Sequence, residues 1–590
     1  MSPEPRRHPQ AVSSAPVRSL RQRASRWLAP LAVGIVGALS FAASLPDSRF
    51  VFDDHVLVEA NMDLRRSDVW WAAFARDYYT TSAQVGRSGY YRPVAVLTHA
   101  ADVRVWGKKI WGHRFTNLVL HAAASAALVP ALVALGAPGG VAVLAGLLFA
   151  VHPAHAESVA FISGRVDVLA GLGVFVALAF AGAASSGAVI GVAVAALFAF
   201  LSKEIAVVLP LLVFLVWRAG RQDASSLEKR PPSGRALVLA VGLAGAVALL
   251  MRWAALATFL PLTASAPRPA GAALLPLQSF AFALASLYVP VKRLLMEPQA
   301  DQLALARLAA GIVVAAILWW TAWRVDRETR PFLRRCAWAG AIALIPVLNL
   351  LPQETRLSER FLYVSSGFWL APVAVLVRAG WRRGGAWRPA SAGACALAAV
   401  LLLGISAWRA RAWRDDVVLW RIAVREEPDR VAFWDRLGLA LTERRDFGPA
   451  ESALRRAVGL DPRYFNAQVN LGVLLHMTHR PREAIEAYRV ALGIDPKHVN
   501  THLNIGLAML DIGQMAEAYQ EFATAAALKP DNPDALRLAG GAAVQIGRLA
   551  DGRRYLEAAR RILPEHPAIQ QAFRVLEEAE GRQAETRPAP

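Results

Sequence analysis

Residues 465–498 read FNAQVNLGVLLHMTHRPREAIEAYRVALGIDPKH. The stretch holds two apolar-periodic segments, each about a helix long, parted by a polar turn and closed by a proline, which cannot continue a helical hydrogen-bond ladder. Its landmarks recur on both sides at a 34-residue step. Pro428, Pro462, Pro496, Pro530 and Pro564 keep that step, as do Gly438, Gly472, Gly506 and Gly540, and Ala423, Ala457, Ala491, Ala525 and Ala559. Ala450, Ala484 and Ala518 hold the same register in the second segment. A stack of helix pairs follows, because small residues at fixed intervals let paired helices approach closely. Four full repeats follow a half repeat at 415–427, and a polar helix near 566–580 is expected to cap them.

This period is the tetratricopeptide signature, and such arrays offer a concave surface to extended peptides. Upstream of residue 410 the composition is different. The whole chain of 590 residues is 55% hydrophobic with a mean hydropathy of +0.34, too apolar for an ordinary soluble enzyme. A helix crossing the hydrocarbon layer needs about 20 apolar residues. Runs of that kind lie near 27–46, 115–135, 139–153, 166–183, 186–201, 204–217, 236–258, 303–323, 336–352, 363–378 and 389–408, which gives about eleven spans. The first is expected to be an uncleaved anchor, given the spans that follow. The fold class expected is all-α, a polytopic membrane domain followed by a soluble repeat superhelix.

The net charge of +20 sits in short arginine-rich segments between apolar runs, a pattern of membrane topology and not of nucleic-acid binding. The N-terminal tail, WRAGRQDASSLEKRPPSGR at 217–235, RVDRETRPFLRR at 324–335 and RAGWRRGGAWR at 378–388 should all be cytoplasmic. That demands an even number of spans between 236 and 323, which makes 274–296 a re-entrant or surface helix and puts the C-terminus outside. The division expected is a cytoplasmic tail at 1–26, a membrane domain at 27–410 with its first outer loop at 47–113, repeats at 411–580 and a disordered tail at 581–590. Cys336 and Cys395 both lie in apolar runs, so no disulfide framework is visible.

This topology gathers the unusual polar clusters on one face. They are FVFDDHVLV at 50–58, HPAHAESVAFISGRVD at 152–167, SKE at 202–204 and PQETRLSER at 352–360. Charges near membrane depth are costly and mark sites or pathways, so the four clusters are expected to form one site. Transfer onto a hydroxyl needs a base, and a carboxylate half buried at a membrane face has its pKa raised toward that task. Asp53 and Asp54 are the candidates, with a divalent cation as a further use of the pair. Asp415 and Asp416 have a simpler role, as acids suited to a helix N-terminus. His152 and His155 with Glu157 resemble a metal set, but Pro153 argues against an interior helical pair, and the block is read as lining a pocket. Tyr90-Tyr91-Arg92-Pro93 reads as an interfacial anchor.

FVFDDHVLVEAN at 50–61, YYRPVAVLTHAADVRVWG at 90–107, HRFTNLVLH at 113–121, HPAHAESVAFISGRVDVLA at 152–170, LSKEIAVVLP at 201–210 and NLLPQETRLSERFLYVSSGF at 349–368 resemble, in order, the blocks of the transmembrane and tetratricopeptide repeat-containing O-mannosyltransferases. These belong to the GT-C glycosyltransferases. The resemblance implies a polyprenyl-phosphate-linked sugar donor, extracytoplasmic chemistry and inversion at the anomeric carbon. It makes Asp53, the favoured member of the pair, or Asp54 the base. The phosphate leaving group calls for fixed positive charge, for which Arg165, Lys203, Arg356 and Arg360 are the candidates. His152, His155, Glu157, Asp167, Glu204 and Glu359 are expected around the acceptor pocket. The Ala- and Arg-rich composition suggests a bacterial-type member in the inner membrane, with the repeats outside, moving mannose or another hexose to Ser/Thr of an exported protein held in the repeat groove. The alternatives are a non-catalytic envelope scaffold and a surface-polysaccharide polymerase or ligase.

Overall fold

The computed structural model describes residues 15–46, 48–79, 89–183, 185, 187–223, 232–259, 274–290, 302–350 and 358–585. Regular elements among them are helical throughout. The chain divides into two compact units at Asp415/Asp416.

The first unit is a multi-pass membrane domain. Among the described residues, seven of its helical segments are long and apolar enough to cross a bilayer: Trp27–Ser44, Ile110–Ala134, Ile162–Ala181, Gly234–Leu256, Leu308–Val325, Glu359–Arg383 and Trp387–Ala412. An eighth arises if Gly139–Ala150 and Pro153–Ala160, bent by 52° at their junction, count as one. The sequence reading has about eleven apolar runs, against seven or eight such helices among the described residues. The other apolar runs end early: Ala188–Phe200, Leu209–Asp223 and Arg330–Leu344 have 13, 15 and 15 residues. At 1.5 Å per residue these reach about 20–22 Å, short of the ~30 Å hydrocarbon layer.

Leu275–Tyr288 is also short, at 14 residues, but it is not a surface helix, since residues 281–287 are buried. The basic exit at 291–293 lies outside the described residues. Small residues set the packing around Ile162–Ala181. A Cβ on Gly173 would stand 2.8 Å from the Ala199 Cβ, and one on Gly171 2.6 Å from the Tyr363 ring. Close helix approach of this kind is the main means of association where both helix and lipid are apolar.

In the second unit, helix pairs follow the repeat. Val431–Glu443 packs on Phe447–Leu460, Phe465–Met477 on Pro481–Ile494, Val499–Asp511 on Met515–Leu528 and Pro533–Gln545 on Leu549–Ile562. The final helix, Pro567–Glu585, runs through residues 581–585, which the sequence reading assigns to a disordered tail. Each repeat glycine faces a bulky side chain of its partner helix: Gly438 on Leu454, Gly472 on Tyr488, Gly506 on Phe522 and Gly540 on Leu556. A Cβ at Gly472 would lie 2.5 Å from Tyr488 Cε1. Gly472→Ala is expected to destabilise the array by about 1–3 kcal/mol through overpacking. Gly459→Ala, where a Cβ meets nothing within 4 Å, should instead gain up to about 1 kcal/mol of helix propensity. Thermal unfolding of the two full-length variants followed by circular dichroism checks the opposite signs.

Candidate active site

The acidic pair sits in a tight turn after the first long helix. Phe52 takes a left-handed backbone conformation, with φ of 53°. For a bulky residue this is strained, at a cost of about 1–2 kcal/mol. The turn sends the two acids apart. Asp54 is fully buried: its Oδ1 accepts from the Ser163 backbone N–H at 2.8 Å and the Ser163 hydroxyl at 2.6 Å, and its Oδ2 from the Val51 N–H at 3.4 Å. Asp53 stays part-exposed, with the Tyr79 hydroxyl donating to its Oδ2 at 3.4 Å. Arg114 ties down the approach to this turn, donating to the carbonyls of Ser44 at 3.0 Å and Arg49 at 2.8 Å.

Burial pushes the Asp54 carboxyl up to about 6, against the lowering effect of Ser163 and of the Arg114 charge. The folded state thus holds this proton more tightly than an unfolded chain would, so the group favours the fold below about pH 4 and penalises it as pH rises through about 6. Asp54→Asn should remove that dependence. Between pH 4 and 8 the wild type is expected to lose on the order of 3 kcal/mol relative to the variant, read from thermal unfolding of both chains across the range.

Three cations, each paired with an acid, share an electrostatic neighbourhood with Asp53. Lys203 Nζ donates to Asp167 Oδ1 at 2.5 Å, and Phe361 covers the ammonium at 5.2 Å. Arg360 lies 3.6 Å from Glu157, whose other oxygen accepts from the Ser358 hydroxyl at 2.7 Å. Arg92 donates to Glu204 at 3.0 Å and stacks on Tyr90 at 4.5 Å, and Arg252 approaches Glu204 to 3.9 Å. The Tyr79 hydroxyl sits in the combined field of Asp53, Arg92 and Arg360. Lys203 feels Arg360 and Arg92: burial pulls its pKa down to about 8, Asp167 opposes this, and the two arginines add to it. Burial pushes Glu204 up, yet Arg92 overrides it and holds the carboxyl below its ordinary value. One part-exposed acid, three cations and their counter-acids make up a single polar cluster.

Asp53, Glu157, Asp167, Lys203, Glu204 and Arg360 are brought together. Arg92 and Tyr79 join them, though the sequence reading makes YYRP an interfacial anchor. That reading fails because Tyr91 is buried with its hydroxyl on the Phe74 carbonyl, and Arg92 is spent on Glu204. The available signal was an arginine between two tyrosines and a proline, with an acid as its unrecognised partner.

Other candidates lie elsewhere. Arg165 is fully buried, donating to Asn117 Oδ1 at 2.8 Å, Asp102 Oδ2 at 2.5 Å and the His113 carbonyl at 2.9 Å, a structural commitment instead of a phosphate contact. Glu359 pairs with buried Arg409. His152 Nε2 meets the Leu287 carbonyl at 3.0 Å while its Nδ1 accepts from the Ala154 N–H, and His155 Nε2 meets the Ser366 hydroxyl at 2.9 Å, so both rings serve packing. Arg356 lies outside the described residues. A cation shared by Asp53 and Asp54 does not fit, because protein donors occupy both Asp54 oxygens, and no cluster of three or more metal-ligating side chains occurs among the described residues.

Sequence models of the tetratricopeptide repeat family match residues 436–499 and 509–574. The chain is 35% identical over 124 residues to mouse protein O-mannosyl-transferase TMTC2, covering 21% of this chain and 15% of that protein. It is 33% identical over 171 residues to human protein O-mannosyl-transferase TMTC4, covering 26% and 22% respectively. The matches thus span about a fifth or less of those relatives' length. Among solved structures, YrrB, described as a TPR protein with an unusual peptide-binding site, is 17% identical with a TM-score of 0.25, covering 27% of this chain and 81% of that one. MamA is 19% identical with a TM-score of 0.23, covering 29% and 89%. A fifth to a quarter of the chain is thus similar to TMTC proteins, and its C-terminal unit is a tetratricopeptide repeat array.

Proposed function

We propose that the chain is an integral-membrane glycosyltransferase that moves a hexose, mannose in keeping with the names of its relatives, from a polyprenyl-phosphate donor to a Ser/Thr hydroxyl of an exported protein. Chemistry is assigned to the extracytoplasmic face of the inner membrane, with the repeat array on that side holding the acceptor chain. The observation that carries this reading is the sharing of one electrostatic cluster by a part-exposed acid, Asp53, and three cations, Arg92, Lys203 and Arg360.

In the proposed reaction Asp53 takes the proton of the acceptor hydroxyl as that oxygen attacks the anomeric carbon. The bond from this carbon to the phosphate oxygen breaks on the opposite face, so configuration inverts. The polyprenyl phosphate leaves with the electron pair. Arg360 and Lys203 meet its negative charge, supported by Arg92, because fixed donors in a partly desolvated site stabilise developing charge without reorganising. Glu157, Asp167 and Glu204 hold those cations in place and keep the resting site near neutrality.

Glycopeptide mass spectrometry tests the reading, on envelope proteins from matched cells carrying equal amounts of wild-type or Asp53→Asn chain. Loss of a hexose from defined Ser/Thr peptides is expected. Unchanged glycosylation removes the protein acceptor and leaves a glycan acceptor, or the scaffold reading.

A further inference from the structure

The turn that follows the first helical piece of the histidine block meets the acidic and basic cluster at three points, Asp54, the backbone at Glu157 and Lys203. Within ISGRVD at 162–167, Ser163 gives both its N–H and its hydroxyl to Asp54 Oδ1. Gly164 lets the chain pass close to the element that carries Glu157: a Cβ there would be 2.5 Å from the Glu157 carbonyl and 3.0 Å from Ser158 Cα. Asp167 receives Lys203.

The turn is itself clamped. Asn117 Nδ2 points at three of its carbonyls, those of Val159 at 3.2 Å, Phe161 at 2.9 Å and Ile162 at 3.3 Å. Asn117 Oδ1 accepts from Arg165, which Asp102 holds, and Asp102 in turn accepts from Thr116 at 2.6 Å. All four of Asn117, Arg165, Asp102 and Ser163 are buried. Paired and mutually bonded in this way, a buried polar network fixes geometry.

We infer that Ser163 is a positioning residue: held by the Asn117–Arg165–Asp102 clamp, it anchors Asp54 as a buried carboxylate and thereby turns its neighbour Asp53 toward the acceptor. The inference rests on the proposed glycosyl transfer and adds to it the group that sets the orientation of the base. In this turn Asp54 is buried while Asp53 stays part-exposed, so the bonds that hold Asp54 also hold the backbone that carries Asp53. The charged and titratable groups facing Asp54 are Arg114 from helix Ile110–Ala134 and Tyr78 from the loop that follows it in the chain. Ser163 is the side chain that hydrogen-bonds it.

The test compares wild-type, Ser163→Ala and Ser163→Thr full-length chains in proteoliposomes with mannosyl-phosphoryl-polyprenol and a Ser/Thr peptide, across pH 5 to 9. Beside it, infrared difference spectra follow the Asp54 carboxyl, assigned by its loss in Asp54→Asn. Loss of the Ser163 hydrogen bond should raise the infrared titration midpoint of the Asp54 carboxyl by about one pH unit, and the misplaced base should lower kcat roughly tenfold. The KM for donor should stay unchanged, and Ser163→Thr should recover most of the rate. An unchanged rate in Ser163→Ala, or an Asp54 titration that does not move, overturns the inference. If the wild type transfers nothing and the glycosyltransferase reading falls, the infrared titration decides the rest. A shift in Ser163→Ala keeps Ser163 as the anchor of Asp54, and no shift removes it.

Discussion

Asp53→Asn is expected to cost roughly 10²–10⁴-fold in kcat, the usual contribution of a positioned general base, with little change in the KM for donor. The side chain keeps its shape and its Tyr79 contact, but an amide cannot take the acceptor proton. Asp54 offers no rescue. It is buried with its oxygens occupied, so the acceptor hydroxyl cannot reach it without breaking the Ser163 bonds. A purified chain reconstituted with the lipid-linked sugar and peptide checks the rate, and circular dichroism confirms that the helices are retained. Equal rates for wild type and variant would mean that the base lies elsewhere.

Arg360→Ala carries the second-largest effect, about 10²–10³-fold in kcat, the range found for removing a donor aimed at developing charge. Arg360 is the cation of the three with the loosest hold on its counter-acid. Its 3.6 Å separation from Glu157 compares with 3.0 Å for Arg92 and Glu204 and 2.5 Å for Lys203 and Asp167. A loosely paired guanidinium can turn to a phosphate at little cost. Arg360→Lys should restore part of the rate, since it returns the charge but not the planar fork that suits phosphate. The ratio of the two variants' kcat values on one donor is the measurement. Equal losses for Lys and Ala would assign the effect to shape, and no loss would remove Arg360 from the leaving-group site.

The repeats were legible because their contacts are local and recur. The glycine that must lie against a partner helix stands at the same position in each period, so the sequence displays the packing four times over. The charged clusters were legible as polar residues at the ends of apolar runs, and six of the predicted site residues do converge. Tertiary pairing hid the rest. Nothing in ISGRVD distinguishes Arg165, buried against Asp102, from Asp167, which reaches Lys203; that outcome depends on residues 36 to 63 positions away. The asymmetry of Asp53 and Asp54 likewise depends on Ser163, 109 positions from Asp54. The count of long apolar helices differs from the count of apolar runs for another reason. Apolar length alone does not reveal where a helix ends, and the runs at 186–201, 204–217 and 336–352 fall in helices of 13, 15 and 15 residues.

The Gly438–Leu454, Gly472–Tyr488, Gly506–Phe522 and Gly540–Leu556 interlocks make the array a ruler with identical divisions. In a solenoid each division leans only on its neighbours, so stability accumulates as a sum along the stack. Splicing one more 34-residue copy after Pro496 would leave every existing interlock intact and add a new one. The length of the array is therefore a quantity that duplication can change by whole units.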